Sequence, residues 1–277
     1  MEKDINKFFE ELENKATKID NGLLKLLQEK IINKLSVKDG KIEFSQENIQ
    51  KILEAQKLIE IYASQQGSFW RFYADGIVKL TNLVQSNFAV IGSAEMIQRG
   101  ELAVKNNLAK IGIEPNGTII KGGFISQASE MKPIQQNIGE WMLKNVTTGR
   151  DFSNLLNEFQ KEVQGKELSG QFTKYVKMQL HDTSFRFLRM QNNLYGETLG
   201  LNYFLYQGTV IDTTREFCEK RAGKVFHRSD VNTWKTEEYM PTPYNFFEDM
   251  GGYNCRHTIR WLSNEIGIKL YKGNINE

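Results

Sequence analysis

The sequence predicts a mainly α protein, with long helices followed by a small C-terminal α+β module. Three observations lead there. Apolar residues recur at steps of three and four from Ile5 as far as Leu194, the spacing of a helical stripe. Only four prolines occur in 277 residues, and none interrupts the longest periodic stretches, so helices can run unbroken. Beyond Gly200 the period falls to two, as Tyr203, Leu205, Gln207, Thr209 and Ile211 oppose Phe204, Tyr206, Gly208 and Val210. That alternation is the signature of a strand.

The elements follow in order. Ile5, Phe8, Phe9, Leu12, Ala16, Ile19, Leu23, Leu27 and Ile31 mark one face of a helix extending to Leu35. Asp39-Gly40 then predicts a tight turn between two very short strands. Ser45 is read as the N-cap of a second helix that ends near Ser64. Gly67-Ser68 breaks the pattern, which resumes over Phe69 to Ile91 and Ser93 to Ile111, with Gly92 and Gly100 as kinks or ends. Glu114-Pro115-Asn116-Gly117 and Gly122-Gly123 are turns flanking a short strand at Thr118-Ile119-Ile120. A helix from Lys132 to Asn145 tolerates Pro133 in its first turn. Asp151 or Ser153 caps the next, from Phe152 to Val163, and residues 165–170 form a polar hinge. A long helix from Phe172 to Tyr195 leads into the alternating segment, with which Lys224-Val225-Phe226 is expected to pair. Ser229 is expected to cap a last short helix to Trp234. The chain divides accordingly into a helical region (1–147), a second helical part (148–200) and the small module (201–277).

Composition excludes several functions. A net charge of +2 supplies no global field to draw the molecule onto DNA or an anionic membrane. No apolar run approaches the ~18 residues of a transmembrane helix, and the mixed-charge N-terminus is unlike a secretory signal. No membrane partner is expected. A reducing cytoplasm is, and there two cysteines are more often free or metal-bound than bridged.

Chemistry-bearing residues gather near the C-terminus. Both cysteines and two of the three histidines fall between Asp212 and His257. The first box is Asp212-Thr213-Thr214-Arg215-Glu216-Phe217-Cys218, followed by Gly223-Lys224-Val225-Phe226-His227. The second is Gly251-Gly252-Tyr253-Asn254-Cys255-Arg256-His257. Cys218, Cys255 and His257 are candidate zinc ligands, with His227 or Asp212 as a fourth. The Cys-x-His spacing is cramped for a zinc knuckle, and buried cysteines need no metal, so the balance falls on no bound cofactor. The same cysteines with His227 or His257 are candidates for nucleophilic catalysis, with weaker support, since no Gly-x-Ser-x-Gly, His-Glu-x-x-His, Walker or dinucleotide motif is present. Asp212 and Arg256 are read as structural ties between the boxes, with Arg256 and Arg260 pairing to Asp212 or Glu216. Lys220, Arg221, Lys224 and Arg228 form the best candidate patch for phosphate contacts, but Glu216, Glu219 and Asp230 dilute its charge and a solvated loop face is the favoured reading.

These boxes resemble the Mu F-like minor head proteins, the head-morphogenesis family of tailed bacteriophages. The resemblance runs from about Thr148 to Leu262. It rests on the helix start Thr148-Gly149-Arg150-Asp151-Phe152, the long helix from Phe172 to Tyr195, the box ending in Cys218, Gly223, and Asn254-Cys255-Arg256-His257 followed by Arg260-Trp261. Two features depart from the family. Arg215 stands where many relatives have the first of two cysteines, and Gly252-Tyr253-Asn254-Cys255-Arg256-His257 replaces a His-Pro-Asn-Cys-Arg-Cys ending. Fewer metal ligands remain than in the fuller pattern.

The resemblance implies a non-enzymatic virion component acting in head assembly, near the portal or inner capsid. Portal or capsid proteins would be its partners, with non-specific contact to packaged DNA. It would reside in the virion head or neck after assembly in the host cytoplasm. The structural module would comprise Asp212, Thr214, Arg215, Cys218, Gly223, Asn254, Cys255, Arg256 and His257. The alternatives are a phage-borne hydrolase or nuclease using the Cys/His cluster, and a DNA-binding virion protein.

The stripe from Ile5 to Ile31 is too continuous to face water along ~45 Å of helix. It packs either within the chain, for instance on residues 46–62, or on a partner. Internal packing predicts slow amide hydrogen exchange from Phe8 to Ile31 in the isolated protein. Fast exchange that slows only in an assembled particle would place the stripe's other half on a partner.

Overall fold

The computed structural model describes residues 2–89, 94–164 and 170–271, with some side chains within these spans left undescribed. It is mainly helical, with a small sheet-containing region at the C-terminal end. In chain order, α1 is Glu2–Lys30, followed by a 3-10 turn at Ile32–Lys34. A hairpin of β1 (Val37–Lys38) and β2 (Lys41–Ile42) leads to α2 (Gln46–Ser64), α3 (Gly67–Ala89) and α4 (Ala94–Ile111). Next come α5 (Phe124–Ala128), α6 (Lys132–Thr147), α7 (Phe152–Gln164) and α8 (Gln171–Tyr175). A π-helical turn at Val176–Leu180 joins α8 to α9 (His181–Thr198). The remainder holds β3 (Tyr203–Gln207), α10 (Glu216–Glu219), β4 (Val225–His227), α11 (Phe246–Asp249), β5 (Thr258–Leu262) and α12 (Asn264–Leu270).

The contacts group these elements into two compact units. One comprises residues 8–75 and 111–177, the other residues 1–7, 76–110 and 178–277. These bounds differ from the three-part division expected above: the segment from 201 onward shares its unit with residues 76–110 and 178–200.

In the unit of residues 8–75 and 111–177, the α1 stripe is the core. Leu12, Ala16, Leu23 and Leu27 are completely buried, so the apolar face is covered within the chain. Phe8 stacks on Phe72 at 5.7 Å, and the Tyr62 hydroxyl donates to the Ile19 carbonyl at 3.0 Å. Phe69, Trp70 and Phe172 form an edge-to-face cluster with centroids 5.0–5.9 Å apart. Asp39 and Gly40 both take positive φ in the β1–β2 turn, and Val37 pairs with Ile42 across it. Ser45 caps α2 by accepting from the Asn48 amide at 3.2 Å. Asp151 caps α7 by accepting from the Ser153 and Asn154 amides.

Two expectations change here. Gly67 is the first residue of α3 and does not break the pattern. Thr118-Ile119-Ile120 is no strand, because only Ile119 makes a bridge, to Ile113. The segment after Gly123, unassigned from sequence, forms α5. Ile91, Gly92 and Ser93, and the hinge at 165–169, lie outside the described residues.

One buried carboxylate fastens α1 to the start of α8. Asp20 is 1 % exposed and accepts from the Phe172 amide (2.9 Å), the Thr173 amide (2.8 Å) and the Thr173 hydroxyl (2.6 Å). It serves as an N-cap supplied from 150 residues away in sequence, since Gly170 at the cap position has no side chain to offer. Burial raises the Asp20 carboxyl above its usual value despite the three donors.

In the other unit a three-stranded antiparallel sheet has the order β4-β3-β5. Phe204 faces Phe226 on one side and Trp261 on the other. Helix α9 covers the sheet: Asn192 donates to the Ile259 carbonyl at 2.6 Å. Phe204, Phe226, Trp234, Phe246 and Trp261 interlock as mostly tilted and edge-on rings, each pair adding roughly 0.5–1.5 kcal/mol beyond its buried area. The alternation read as a strand to Ile211 pairs only as far as Gln207, and β5, not expected from sequence, completes the sheet. Ser229 is not the cap of the following turn. His227 holds that position, accepting from the Ser229 amide at 3.3 Å, and the turn Arg228–Thr233 is 3-10.

Asp20→Ala leaves the Phe172 and Thr173 donors without an acceptor and should cost about 2–4 kcal/mol. Urea unfolding would read this as a lower midpoint at unchanged slope. A change below about 0.5 kcal/mol would mean that water replaces the carboxylate.

Candidate functional site

The two boxes meet in the sheet-containing unit. Cys218 sits at the C-terminal end of α10, a short helix whose first turn is set by the Arg215 backbone: the Cys218 amide donates to the Arg215 carbonyl at 2.9 Å. Thr214 closes the preceding turn, its hydroxyl accepting from the Ile211 amide at 2.8 Å. Gly223 turns the chain at φ 77°, and its amide donates to the Tyr206 carbonyl at 2.9 Å, so β4 can begin. Cys255 and His257 lie between α11 and β5, in a loop that folds through Gly252 and Asn254, both at positive φ.

At the centre, Cys218 Sγ is 3.7 Å from Cys255 Sγ, and Cys255 Sγ is 3.8 Å from His257 Nδ1. The three ligand-type atoms all lie within 4.8 Å of one another. Cys218, Cys255 and His257 are 2, 4 and 7 % exposed. The Tyr206 hydroxyl, fully buried on β3, donates to Cys218 Sγ at 3.1 Å. The hydrogen bond between the two sulfurs holds the Cys255 thiol well below its usual range, helped by the Arg189 guanidinium and by His257. The same hydrogen bond, together with burial, pushes the Cys218 thiol up. Burial also raises the Tyr206 phenol. These are the side chains that could hold a metal, and the softness of two sulfurs with an imidazole suits zinc.

Arg189, which the sequence reading did not single out, shapes the loop. It is 1 % exposed on α9, and its Nε donates to the His257 carbonyl at 2.9 Å. Its Nη1 donates to the Glu248 carbonyl at 3.0 Å and its Nη2 to the Cys255 carbonyl. A second arginine, Arg215, ties the boxes: its Nη1 donates to the Gly251 carbonyl at 2.9 Å and its Nη2 to the Tyr253 carbonyl at 2.7 Å. Its guanidinium lies 4.7 Å from the Tyr239 ring centre. The Asn254 amide donates to Asp182 on α9 at 2.8 Å. Two glycines are required by contact: a Cβ on Gly251 would fall 2.2 Å from Cys218 Sγ, and one on Gly208 would fall 2.2 Å from the His257 ring.

Other expectations are corrected. Asp212 and Arg256 are both exposed, and Arg215 ties the first box to the second through the Gly251 and Tyr253 carbonyls. His227 lies on β4 and bonds Ser229 Oγ at 2.7 Å, apart from the sulfur cluster. The proposed basic patch disperses. Arg221 is completely buried against Phe217 and Trp234 and donates to the Phe217 carbonyl. Arg228 pairs with Glu197 at 3.0 Å over Trp261, and Lys220 pairs with Glu216 at 3.0 Å. Of the four, Lys224 keeps an exposed side chain with no ion pair among the described residues.

Comparison with known protein families, with curated proteins and with solved structures finds no match.

Arg189→Lys keeps the charge and loses the fork, stranding buried carbonyls of the second box. We expect a loss of about 3–5 kcal/mol, against about 1 kcal/mol for Arg215→Ala at the partly exposed rim. Thermal unfolding of both variants checks the order. Equal losses would mean that Arg189 does not carry the loop.

Proposed function

We propose that this chain is a non-enzymatic minor head component of a tailed bacteriophage, acting in head assembly near the portal or inner capsid. One observation carries the reading. The two boxes on which the resemblance rests, separated by 37 residues between their cysteines, close on each other into one buried polar cluster. An assembly protein needs a rigid docking module, and a cluster locked by backbone-directed arginines supplies rigidity. The helix-in-groove mode of recognition suits the remaining helical surface.

The rival reading has an observation of its own. A low-lying Cys255 thiol beside an imidazole is how a cysteine nucleophile begins. Burial weighs against it, because side chains 4 and 7 % exposed offer a substrate no approach. The withdrawal of Arg221 and Arg228 from the basic loop similarly weighs against a primary role in binding DNA. Among the described residues no helix is long and apolar enough to cross a membrane. The partners in this reading are portal or capsid proteins, and the location is the head or neck of the virion, reached from the host cytoplasm.

The test is fractionation of particles from an induced or infected host. Full and DNA-free heads are separated by density and each is digested for mass spectrometry. We expect the chain in both fractions, at low copy relative to the major capsid protein. Abundant chain in the cleared lysate with none in either particle would overturn the assignment.

A further inference from the structure

We propose that Cys218, Cys255 and His257 form a zinc site, with the Tyr206 hydroxyl positioning the Cys218 sulfur from outside the ligand set. Zinc bound to two thiolates at about 2.3 Å with tetrahedral angles separates the sulfurs by about 3.8 Å. The observed Sγ–Sγ separation is 3.7 Å, far longer than the ~2.0 Å of a disulfide. A sulfur and an imidazole nitrogen on the same tetrahedron stand about 3.6 Å apart, and Cys255 Sγ to His257 Nδ1 is 3.8 Å. The third edge is no longer than 4.8 Å, so closing it around the ion needs a shift of about 1 Å.

A second observation points to a ligand. The imidazole of His257 is 7 % exposed, yet its Nδ1 meets no oxygen or nitrogen, only the Cys255 sulfur, and its Nε2 is buried with no hydrogen-bond partner. A polar ring enclosed this way is costly unless something compensates. An ion on Nδ1 supplies that nitrogen with a partner and fixes the proton on Nε2. The frame is built for it: Arg189 fixes the carbonyls of both Cys255 and His257, and the bare Cα of Gly251 lets Cys218 reach them. Tyr206 O–H donates to Cys218 Sγ, the outer hydrogen bond that steadies a thiolate ligand.

The balance against a metal drawn from the sequence rested on the uncertain fourth ligand, on cysteines that can be buried without one, and on the cramped Cys-x-His pair. The last of these loses force here, because Cys218 arrives from the other box and the short pair supplies only two corners. Three protein ligands leave one corner of the tetrahedron for a water. The inference stands on this geometry and is independent of the assembly role proposed above.

The experiment uses the full chain, purified under reducing conditions, loaded with zinc and dialysed to remove loosely held ion. Elemental analysis should find about one zinc per chain, with Cys218→Ser and His257→Ala each retaining none. Tyr206→Phe should still bind, about 10- to 100-fold more weakly. Because ligand variants can unfold, cobalt(II) is also added to the unmodified chain, where a thiolate-to-cobalt charge-transfer band is expected and zinc should abolish it. Three outcomes overturn the proposal. One is a fully reduced chain that holds no zinc and gives no band with cobalt. Another is zinc retained undiminished in folded Cys218→Ser and His257→Ala. The third is a Cys218–Cys255 disulfide, read as a mass two hydrogens lighter, that forms in air equally fast with and without zinc.

Discussion

The loop that carries the second cysteine box depends on a buried cation that pairs with no carboxylate among the described residues. Arg189 projects from α9 into the segment between α11 and β5, and its donors end on the carbonyls of Glu248, Cys255 and His257. A loop that turns through Met250, Gly252 and Asn254 at positive φ cannot satisfy its carbonyls by regular pairing. A planar fork with five donors can meet several of them at once. Charging this arrangement is expensive in a low dielectric, and the guanidinium in turn helps to lower the Cys255 thiol, behind the hydrogen bond with Cys218. The position of the loop, the state of its thiol and the orientation of His257 are therefore one problem with one solution.

Around that fork the remaining contacts set register. Arg215 reaches the Gly251 and Tyr253 carbonyls from the first box, Asp182 receives the Asn254 amide, and Asp249 accepts the Asn245 amide while pairing with Arg186 at 3.0 Å. The aromatic rings about Phe204 and Trp234 fill the apolar side of the same module. Each polar contact is worth about 1 kcal/mol, but their loss is not additive, because they end on the same short loop or on the helix that leads into it. Asp20 solves the same kind of problem in the other unit, where a helix begins at a glycine that cannot cap it.

Local signals in the sequence carried far. The α1 stripe, the Asp39-Gly40 turn and the Ser45 and Asp151 caps were all legible, because each depends on residues within a few positions of one another. The convergence of Cys218, Cys255 and His257 was also anticipated, through the composition of the boxes. Long-range polar contacts were illegible. Nothing near Arg189 or Asp20 distinguishes them from the solvated charges usual on a helix, since their partners lie 59–68 and 152–153 residues away. Tyr206 had a usable signal, because it falls in phase with Phe204 on the alternating strand, and both point inward. Strand β5 had one too: Ile259 and Trp261 are buried and Arg260 is exposed, a period of two obscured by its closeness to the cysteine box.

The basic loop shows why charge counting misleads at such a site. Four cations within nine residues read as a phosphate-binding face when each is assigned to solvent. Arginine differs from lysine in having a flat, weakly hydrated head that stacks on rings and can be buried if its donors are met. Arg221 does so between Phe217 and Trp234, at 3.8 and 4.2 Å from the ring centres, and Arg228 stacks on Trp261 while holding Glu197. The aromatic residues interleaved with these arginines were thus the informative feature. In a single-stranded nucleic-acid groove such rings would face outward to stack on bases; here they face the core and draw the arginines in after them. The chain spends its arginines on holding irregular backbone and packing rings, which is what a module with little regular structure requires to be rigid.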